Sequence, residues 1–148
     1  MLPTKKTRYG LRAMIEIAVG SDEPGGILQK DIASRQKIST KFLDHIIHSL
    51  KTHGLIQNYK GKKSGYTLCR PAAGITVYDV VKSLEPGIIS VDCLNNPTIC
   101  SLKDSCAAKI FWKGLDEKLT NELKSVTLEE LAGTQKKLAG RGEPAYFI

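Results

Sequence analysis

Between Thr40 and His53 the apolar residues Phe42, Leu43, Ile46, Ile47 and Leu50 recur at helical spacing, and soon afterwards the chain turns through Lys60-Gly61-Lys62-Lys63-Ser64-Gly65. That pairing of a half-polar helix with a basic hairpin narrows the fold more than any other feature. Ser39 is placed to cap the helix by accepting from its free N–H groups, and Gly54 ends it. Upstream, Ile27 to Gln36 puts Leu28, Ile32 and Ala33 on one face, and only Lys37-Ile38-Ser39 separates this segment from the next. Downstream, Leu55–Tyr59 and Tyr66–Leu68 read as two strands around the glycine- and lysine-rich turn. Helix, short turn, helix and hairpin in this order predict a winged helix-turn-helix. The fold class is mainly α with a small β-hairpin.

A helix whose apolar face is committed to the core leaves its polar face for another task. In the predicted arrangement the second helix can enter a DNA major groove while the first braces against the backbone. Thr40, Lys41, Asp44, His45 and His48 lie off the apolar stripe and are the candidate DNA-contacting residues of this helix. His45 and His48 are close enough in sequence to reach one ligand, but DNA-facing or solvated side chains are the simpler reading. Lys60, Lys62 and Lys63 in the turn are candidate phosphate contacts, adding affinity with little base discrimination. The charge distribution agrees. Residues 1–70 hold 13 Lys/Arg against 5 Asp/Glu, a net of +8, whereas residues 71–148 hold 9 against 10, a net of −1. One half is built to face a polyanion.

The remaining elements frame this module. A first helix from about Lys6 to Val19 has a broad apolar face and stops at Gly20. Thr76 caps a helix from Val77 to Leu84, and Glu85-Pro86-Gly87 closes it. Residues 88–105 have no sustained period and read as a loop. A long helix from about Ala107 to Val126 carries Ile110, Phe111, Leu115, Leu119 and Leu123 along one stripe. Appended to a small DNA-binding module, such a stripe is most simply a homodimer helix, and a two-fold pair reads a palindromic operator in double-stranded DNA. Thr127-Leu128-Glu129-Glu130 has capping-box spacing and begins a short helix expected to end near Gly133. The resulting division is a DNA-binding domain over 1–85, a sensor loop over 86–106, a dimerisation helix and short C-terminal helix over 107–133, and a loose tail over 134–148 with an apolar tip at its end.

No apolar run approaches the roughly 18 residues needed to span a bilayer, and the N-terminus lacks a signal peptide's apolar stretch. No membrane is expected, and the compartment is read as the cytoplasm, where thiols stay reduced. There Cys93, Cys100 and Cys106, within fourteen residues, read as potential ligands or redox groups before staples. Thiolates are soft donors for iron–sulfur clusters, zinc or copper(I). The absence of a close Cys-x2-Cys pair weighs against structural zinc, and metal-free thiols or a redox disulfide stay open. Cys69, near the base of the hairpin, reads as a small buried hydrophobe. The chain is not read as an enzyme: it has no coherent carboxylate pair, no phosphate-cradling glycine motif and no supported Cys/His pair.

Taken together, four stretches resemble the Rrf2 family of bacterial winged-helix transcription regulators. They are Thr7-Arg8-Tyr9-Gly10-Leu11-Arg12-Ala13-Met14; Asp31-Ile32-Ala33 with Ile38-Ser39-Thr40-Lys41-Phe42-Leu43; Leu50 to Ile56 running into Gly61 to Leu68; and the loop bearing Cys93, Cys100 and Cys106. The resemblance covers about residues 1–133. It implies a winged-helix dimer whose long helix crosses its partner's. It also implies that the three cysteines hold an iron–sulfur cluster, [2Fe-2S] or [4Fe-4S], whose state alters DNA affinity, while family members without the cysteines act without a cluster. The sequence departs from the family in places. Lys109 stands where the cluster-assembly type has a histidine, and Arg8 where the nitric-oxide-sensing type has an acidic residue. The Cys93–Cys100 gap is one residue longer than common, Ser64 replaces a frequent glycine, and Asp44, a shorter acidic group that could still accept from a cytosine amine, stands where many members have glutamate. The fourth ligand is therefore open among Asp92, Asp104 and a group from a second subunit. The expected function is a sequence-specific, dimeric DNA-binding transcriptional regulator switched by a cluster. The alternative is a cluster-free regulator answering to thiol redox state or to a partner protein.

Overall fold

In the computed structural model, which describes residues 3–60, 65–89, 91–96, 98, 100–102 and 105–142, seven helices surround one small hairpin among the described residues. Helix α1 spans Lys5–Val19, α2 Gln29–Gln36 and α3 Thr40–Thr52. The hairpin pairs β1, Ile56–Asn58, with β2, Tyr66–Leu68, antiparallel in the register Ile56↔Leu68, Gln57↔Thr67 and Asn58↔Tyr66. A 3-10 turn over Ala72–Gly74 leads to α4, Val77–Leu84. A short turn of helix, α5 (Asp92–Asn95), precedes α6 (Ala107–Ser125) and α7 (Leu128–Gly142).

The core follows the helical periods. Ala13, Met14 and Ile17 from α1, Ile32 from α2, and Leu43, Ile46 and Leu50 from α3 are all fully buried together. Completely burying such side chains contributes about 1.5–3 kcal/mol each. The turn between α2 and α3 is fixed by its own backbone. Lys37 takes a left-handed conformation with φ of 53°, and the Ile38 N–H returns to the Ala33 carbonyl at 3.0 Å. Ile38 itself is buried, so this tight turn is also anchored to the core.

Glycines join the hairpin to the loop before α2. The Ile27 N–H donates to the Tyr66 carbonyl at 3.0 Å, the Tyr66 N–H to the Ile27 carbonyl at 2.8 Å, and the Gly65 N–H to the Gly25 carbonyl at 3.2 Å. A Cβ on Gly65 would stand 2.4 Å from the Gly25 carbonyl oxygen, closer than any real contact. The wing is therefore seated against residues 25–27; Ile27 and Leu28, expected to open the helical segment, are extended, and α2 begins only at Gln29.

Three expectations are corrected. Cys69 is exposed, not buried. Leu68 beside it packs against the core, and alternation along the strand sends the next side chain outward. The stretch 88–105 is not wholly loop, because Asp92–Asn95 closes one helical turn, with the Asn96 N–H bonded to the Asp92 carbonyl at 2.8 Å. The last helix does not stop at Gly133 but runs on to Gly142. Nothing crowds Gly133, and the good helix formers Gln135, Lys136, Lys137, Leu138 and Ala139 follow it. The apolar tip, residues 145–148, lies outside the described residues.

At its start α7 returns to the body formed by α1–α4. The reciprocal capping bonds expected from sequence are present, Thr127 N–H to Glu130 Oε2 and Glu130 N–H to Thr127 Oγ1, both at 3.3 Å. Main-chain bonds Val77 N–H to Val126 carbonyl at 3.0 Å and Leu128 N–H to Ile75 carbonyl at 2.8 Å tie the helix to the start of α4. Leu128 and Ala132 are buried in the common core, against α1.

Candidate nucleic-acid interface and cysteine segment

Helix α3 is amphipathic in the strict sense that each of its faces has one environment. Leu43, Ile46, Ile47 and Leu50 are buried, while Thr40, Lys41, Asp44, His45 and His48 are all exposed. The Ser39 hydroxyl accepts from the Phe42 N–H at 3.2 Å, capping the helix as its sequence predicts. The structure thus gathers five of the eight expected DNA-contacting residues on one outer face. Lys60 is exposed two residues beyond β1, on the way into the hairpin's turn. Lys62 and Lys63 lie outside the described residues.

Two side-chain networks set the posture of this face. The Gln29 amide donates to Asp44 Oδ1 on α3, and the Tyr66 hydroxyl donates to Gln29 Oε1 at 3.4 Å. Asp44 is thereby linked through α2 to the wing. Burial, and then the Asp44 carboxylate, push the Tyr66 phenol above its ordinary value of 10.0, so it remains a donor at neutral pH. On the wing side of α3, the Lys51 ammonium donates to Asn58 Oδ1 at 2.8 Å and stands 5.8 Å from the Tyr66 ring centre.

The second network orients α1 and α2. The Arg12 Nε donates to Gln36 Oε1 at 2.9 Å and a second guanidinium nitrogen to the Gln36 carbonyl. The Gln36 amide donates to Glu16 Oε1 at 2.8 Å, and Arg35 pairs with Glu16 at 3.6 Å. Glu16 is buried, so these partners offset what would otherwise be a costly desolvated charge.

Sequence reasoning missed a basic edge on α1. Tyr9 and Phe42 meet edge to face at 5.8 Å, and around them stand Lys5, Arg8 and Arg12, between 4.9 and 5.9 Å from the ring centres. The signal was available: Lys5, Arg8 and Arg12 follow one another at three- and four-residue spacing, which puts them on one side of a helix. Gln29 and Tyr66 gave no comparable sign, because their meeting depends on how the wing docks.

The cysteines occupy one stretch between α4 and α6. Cys93 is on α5, Cys106 is the residue that caps α6, and Cys100 lies between; all three are unpaired thiols and half-buried. As a donor set of three soft thiols in one segment they suit a thiolate-bound iron centre. In this conformation they are not drawn together: among the described residues no three His, Cys, Asp or Glu side chains are grouped to hold a metal ion.

Helix α6 adds a further peculiarity. Over 19 residues it buries no side chain, and its first turns display Ile110 at 75% and Phe111 at 62% exposure. Among the described residues no helix is long and apolar enough to cross a membrane. The sequence profile of the Rrf2 family, described as an iron-dependent transcriptional regulator, matches residues 3–134.

The chain belongs to the Rrf2 family.

Among Rrf2 relatives, the HTH-type transcriptional regulator IscR of Klebsiella pneumoniae (strain 342) is 33% identical over 135 residues, covering 91% of this chain and 82% of that protein. Of solved Rrf2-like structures, CymR (YrzC), the global cysteine regulator of B. subtilis, aligns with a TM-score of 0.74 and 31% identity over 90% of this chain and 98% of its own. IscR of T. potens aligns with a TM-score of 0.75 and 27% identity over 93% and 90%. The family is one of winged-helix transcriptional regulators, not of enzymes.

Proposed function

We propose that this Rrf2 protein is a cytoplasmic, homodimeric, sequence-specific DNA-binding regulator that reads a palindromic operator. The carrying observation is the exposed row Thr40, Lys41, Asp44, His45 and His48 on a helix whose other face is wholly committed to the core. Residues 1–85 form the reading head. Two such heads, related by a two-fold axis, would insert their α3 helices into successive major grooves. Lys60, Lys62 and Lys63 would contact phosphates, and the basic edge of α1 adds charge of the same sign beside them. Pairing through α6 supports the dimer, since a helix that buries none of its side chains needs a partner for its apolar stripe.

Within residues 86–106, Cys93, Cys100 and Cys106 are proposed to hold an iron–sulfur cluster, [2Fe-2S] or [4Fe-4S]. Such a cluster supplies an iron centre whose oxidation state or loss changes the charge and shape of the segment around it. The chain's own part is mechanical. Helix α5 lies against α6, and Cys106 stands at the first turn of α6. Any reordering of the segment is therefore delivered to the start of the dimer helix, and through it to the spacing of the two heads. A second reading, a cluster-free regulator sensing thiol oxidation or a partner protein, is favoured by the lack of a convergent three-ligand group among the described residues.

Selection of bound fragments from genomic DNA by the purified protein tests the DNA-binding reading. Enrichment of a two-fold symmetric motif is expected. Substituting Lys60 by Ala should weaken binding to all sequences alike and lower the salt slope by about 1. A protein that enriches no motif sinks the reading. Iron and sulfide analysis of anaerobically purified protein separates the two switches: stoichiometric iron and sulfide supports the cluster, and a colourless protein that still binds its operator supports the alternative.

A further inference from the structure

Tyr66 stands where three segments of the reading head meet. Its main chain pairs with Asn58 across the hairpin and, on its other side, with Ile27 in the loop before α2. The second pairing is tight. A Cβ on Gly26 would stand 2.6 Å from the Tyr66 carbonyl oxygen, and Gly26 takes a φ of 70° that favours glycine. The backbone of Tyr66 is thus held from both sides, and its half-buried ring packs on the core. The Lys51 ammonium of α3 stands over that ring and is itself held by Asn58 Oδ1.

The hydroxyl of this fixed ring begins a chain of bonds with one polarity. An ionised carboxylate only accepts, so the Gln29 amide turns its nitrogen to Asp44 Oδ1 and leaves its oxygen for the Tyr66 hydroxyl, at 3.4 Å. The three residues come from the wing, α2 and α3. Among the described residues Asp44 Oδ2 takes no hydrogen bond and has no salt-bridged cation, and the residue is exposed. One oxygen is pinned and its twin is free to accept from a base amine. Because a carboxylate is planar, re-aiming the pinned oxygen re-aims the free one. No member of the chain lies on α6, which packs on α4 and α5, so pairing through α6 leaves these bonds in place.

We propose that Tyr66 is a positioning residue for base recognition: through Gln29 it fixes the direction in which Asp44 presents its free oxygen, so the wing sets discrimination without touching a base. This rests on the DNA-reading proposal above. Two residues of one hairpin then contribute separately. Lys60 acts through phosphate charge, on all sequences alike. Tyr66 acts at one position of each half-site.

Competition binding of the full chain against single-base variants of its selected operator tests this. Tyr66→Phe removes the hydroxyl and keeps the ring beneath Lys51. It should lower discrimination about fivefold, at the same position as Asp44→Asn, with the salt slope unchanged. Combined with Asp44→Asn it should add nothing, since the two act in series. The free protein gives an independent readout: removing the Asp44 charge in Asp44→Asn should lower the pKa of the Tyr66 phenol, followed by carbon-13 NMR of labelled tyrosine. The inference is overturned if Tyr66→Phe leaves the base profile as it was or weakens all operators alike, as a merely structural residue would. Full additivity with Asp44→Asn overturns it too, as does a phenol titration that Asp44→Asn leaves unmoved. Failure of the DNA-reading proposal looks different: the natural chain then enriches no motif, and this inference falls with it. Should Tyr66→Phe not fold, the phenol titration and the operator profile of Gln29→Ala decide together.

Discussion

The Gln29 side-chain amide donates to the Asp44 carboxylate, so a residue in the first turn of α2 holds the orientation of an acidic group on the exposed face of α3. The Tyr66 hydroxyl in turn holds Gln29, at 3.4 Å. If Asp44 reads a base edge, its aim is set from outside its own helix. Gln29→Ala should leave stability within about 0.5 kcal/mol, because both partners are near the surface. It should relax discrimination at one position of each half-site by about 1 kcal/mol. Competition binding against single-base operator variants, alongside a thermal melt, checks both halves; a uniform loss at every position would place Gln29 in general docking instead.

Glu85 makes stability depend on pH in a predictable direction. Burial alone would raise its carboxyl pKa, but hydrogen bonds from Thr4 and Thr7 and the Lys6 charge outweigh it and hold the group below its ordinary 4.5. A depressed folded-state pKa contributes stability that is complete above the unfolded value and is lost as pH falls through the folded one. Urea unfolding should show the natural chain more stable than Glu85→Gln at neutral pH. The gap should close on acidification from about pH 5 downward.

Two glycines look equally crowded and should behave differently. At Gly65 an added Cβ meets backbone, the Gly25 carbonyl oxygen at 2.4 Å, and neither segment can yield without breaking the Ile27–Tyr66 bonds. At Gly10 it meets the Leu84 Cδ1 methyl at 2.2 Å, the far end of a side chain that can rotate away. Gly65→Ala should cost about 1–3 kcal/mol and speed hydrogen exchange at the Ile27 and Tyr66 amides. Gly10→Ala should stay within about 1 kcal/mol, helped by alanine's helix propensity.

Charging the exposed stripe of α6 tests the dimer without touching the core. Phe111→Glu combined with Ile110→Glu places two carboxylates on positions that are already open to solvent in the single chain. Sedimentation should report a species of half the natural mass whose α1–α4 module still unfolds cooperatively. An unchanged mass would move the interface elsewhere.

Much of the reading face was legible from residue order. The period of Phe42, Leu43, Ile46, Ile47 and Leu50 fixes which side of α3 is inside, and therefore which side is not. Ser39 and Thr127 declare their helix starts because capping is a local transaction between residues three apart. Contacts between distant segments were not legible. Nothing near Gly25 in sequence announces that it will meet Gly65, and Cys69 turns outward because of how β2 sits on the core. Cys93, Cys100 and Cys106 show the same boundary: their nearness in sequence marks a donor set, but the fold leaves each in its own local setting. Gly133 misled for the converse reason. Glycine weakens a helix by only about 1 kcal/mol, and the residues that follow it favour the helix strongly enough to continue.

The bonds between Thr76 and Thr127 and their neighbours close the base of a long excursion of the chain. Helix α4 stays packed on α1 and α3, and the chain beyond it, through α5 and α6, comes back to the body at that clasp. The cost of closing such an excursion grows only slowly with its length, and Leu128 is seated whatever happens beyond it. The tip of the excursion can therefore gain or lose residues, or exchange its cysteines, with little penalty to the head that carries α3. A segment held this way can change on a much shorter evolutionary path than the fold it hangs from.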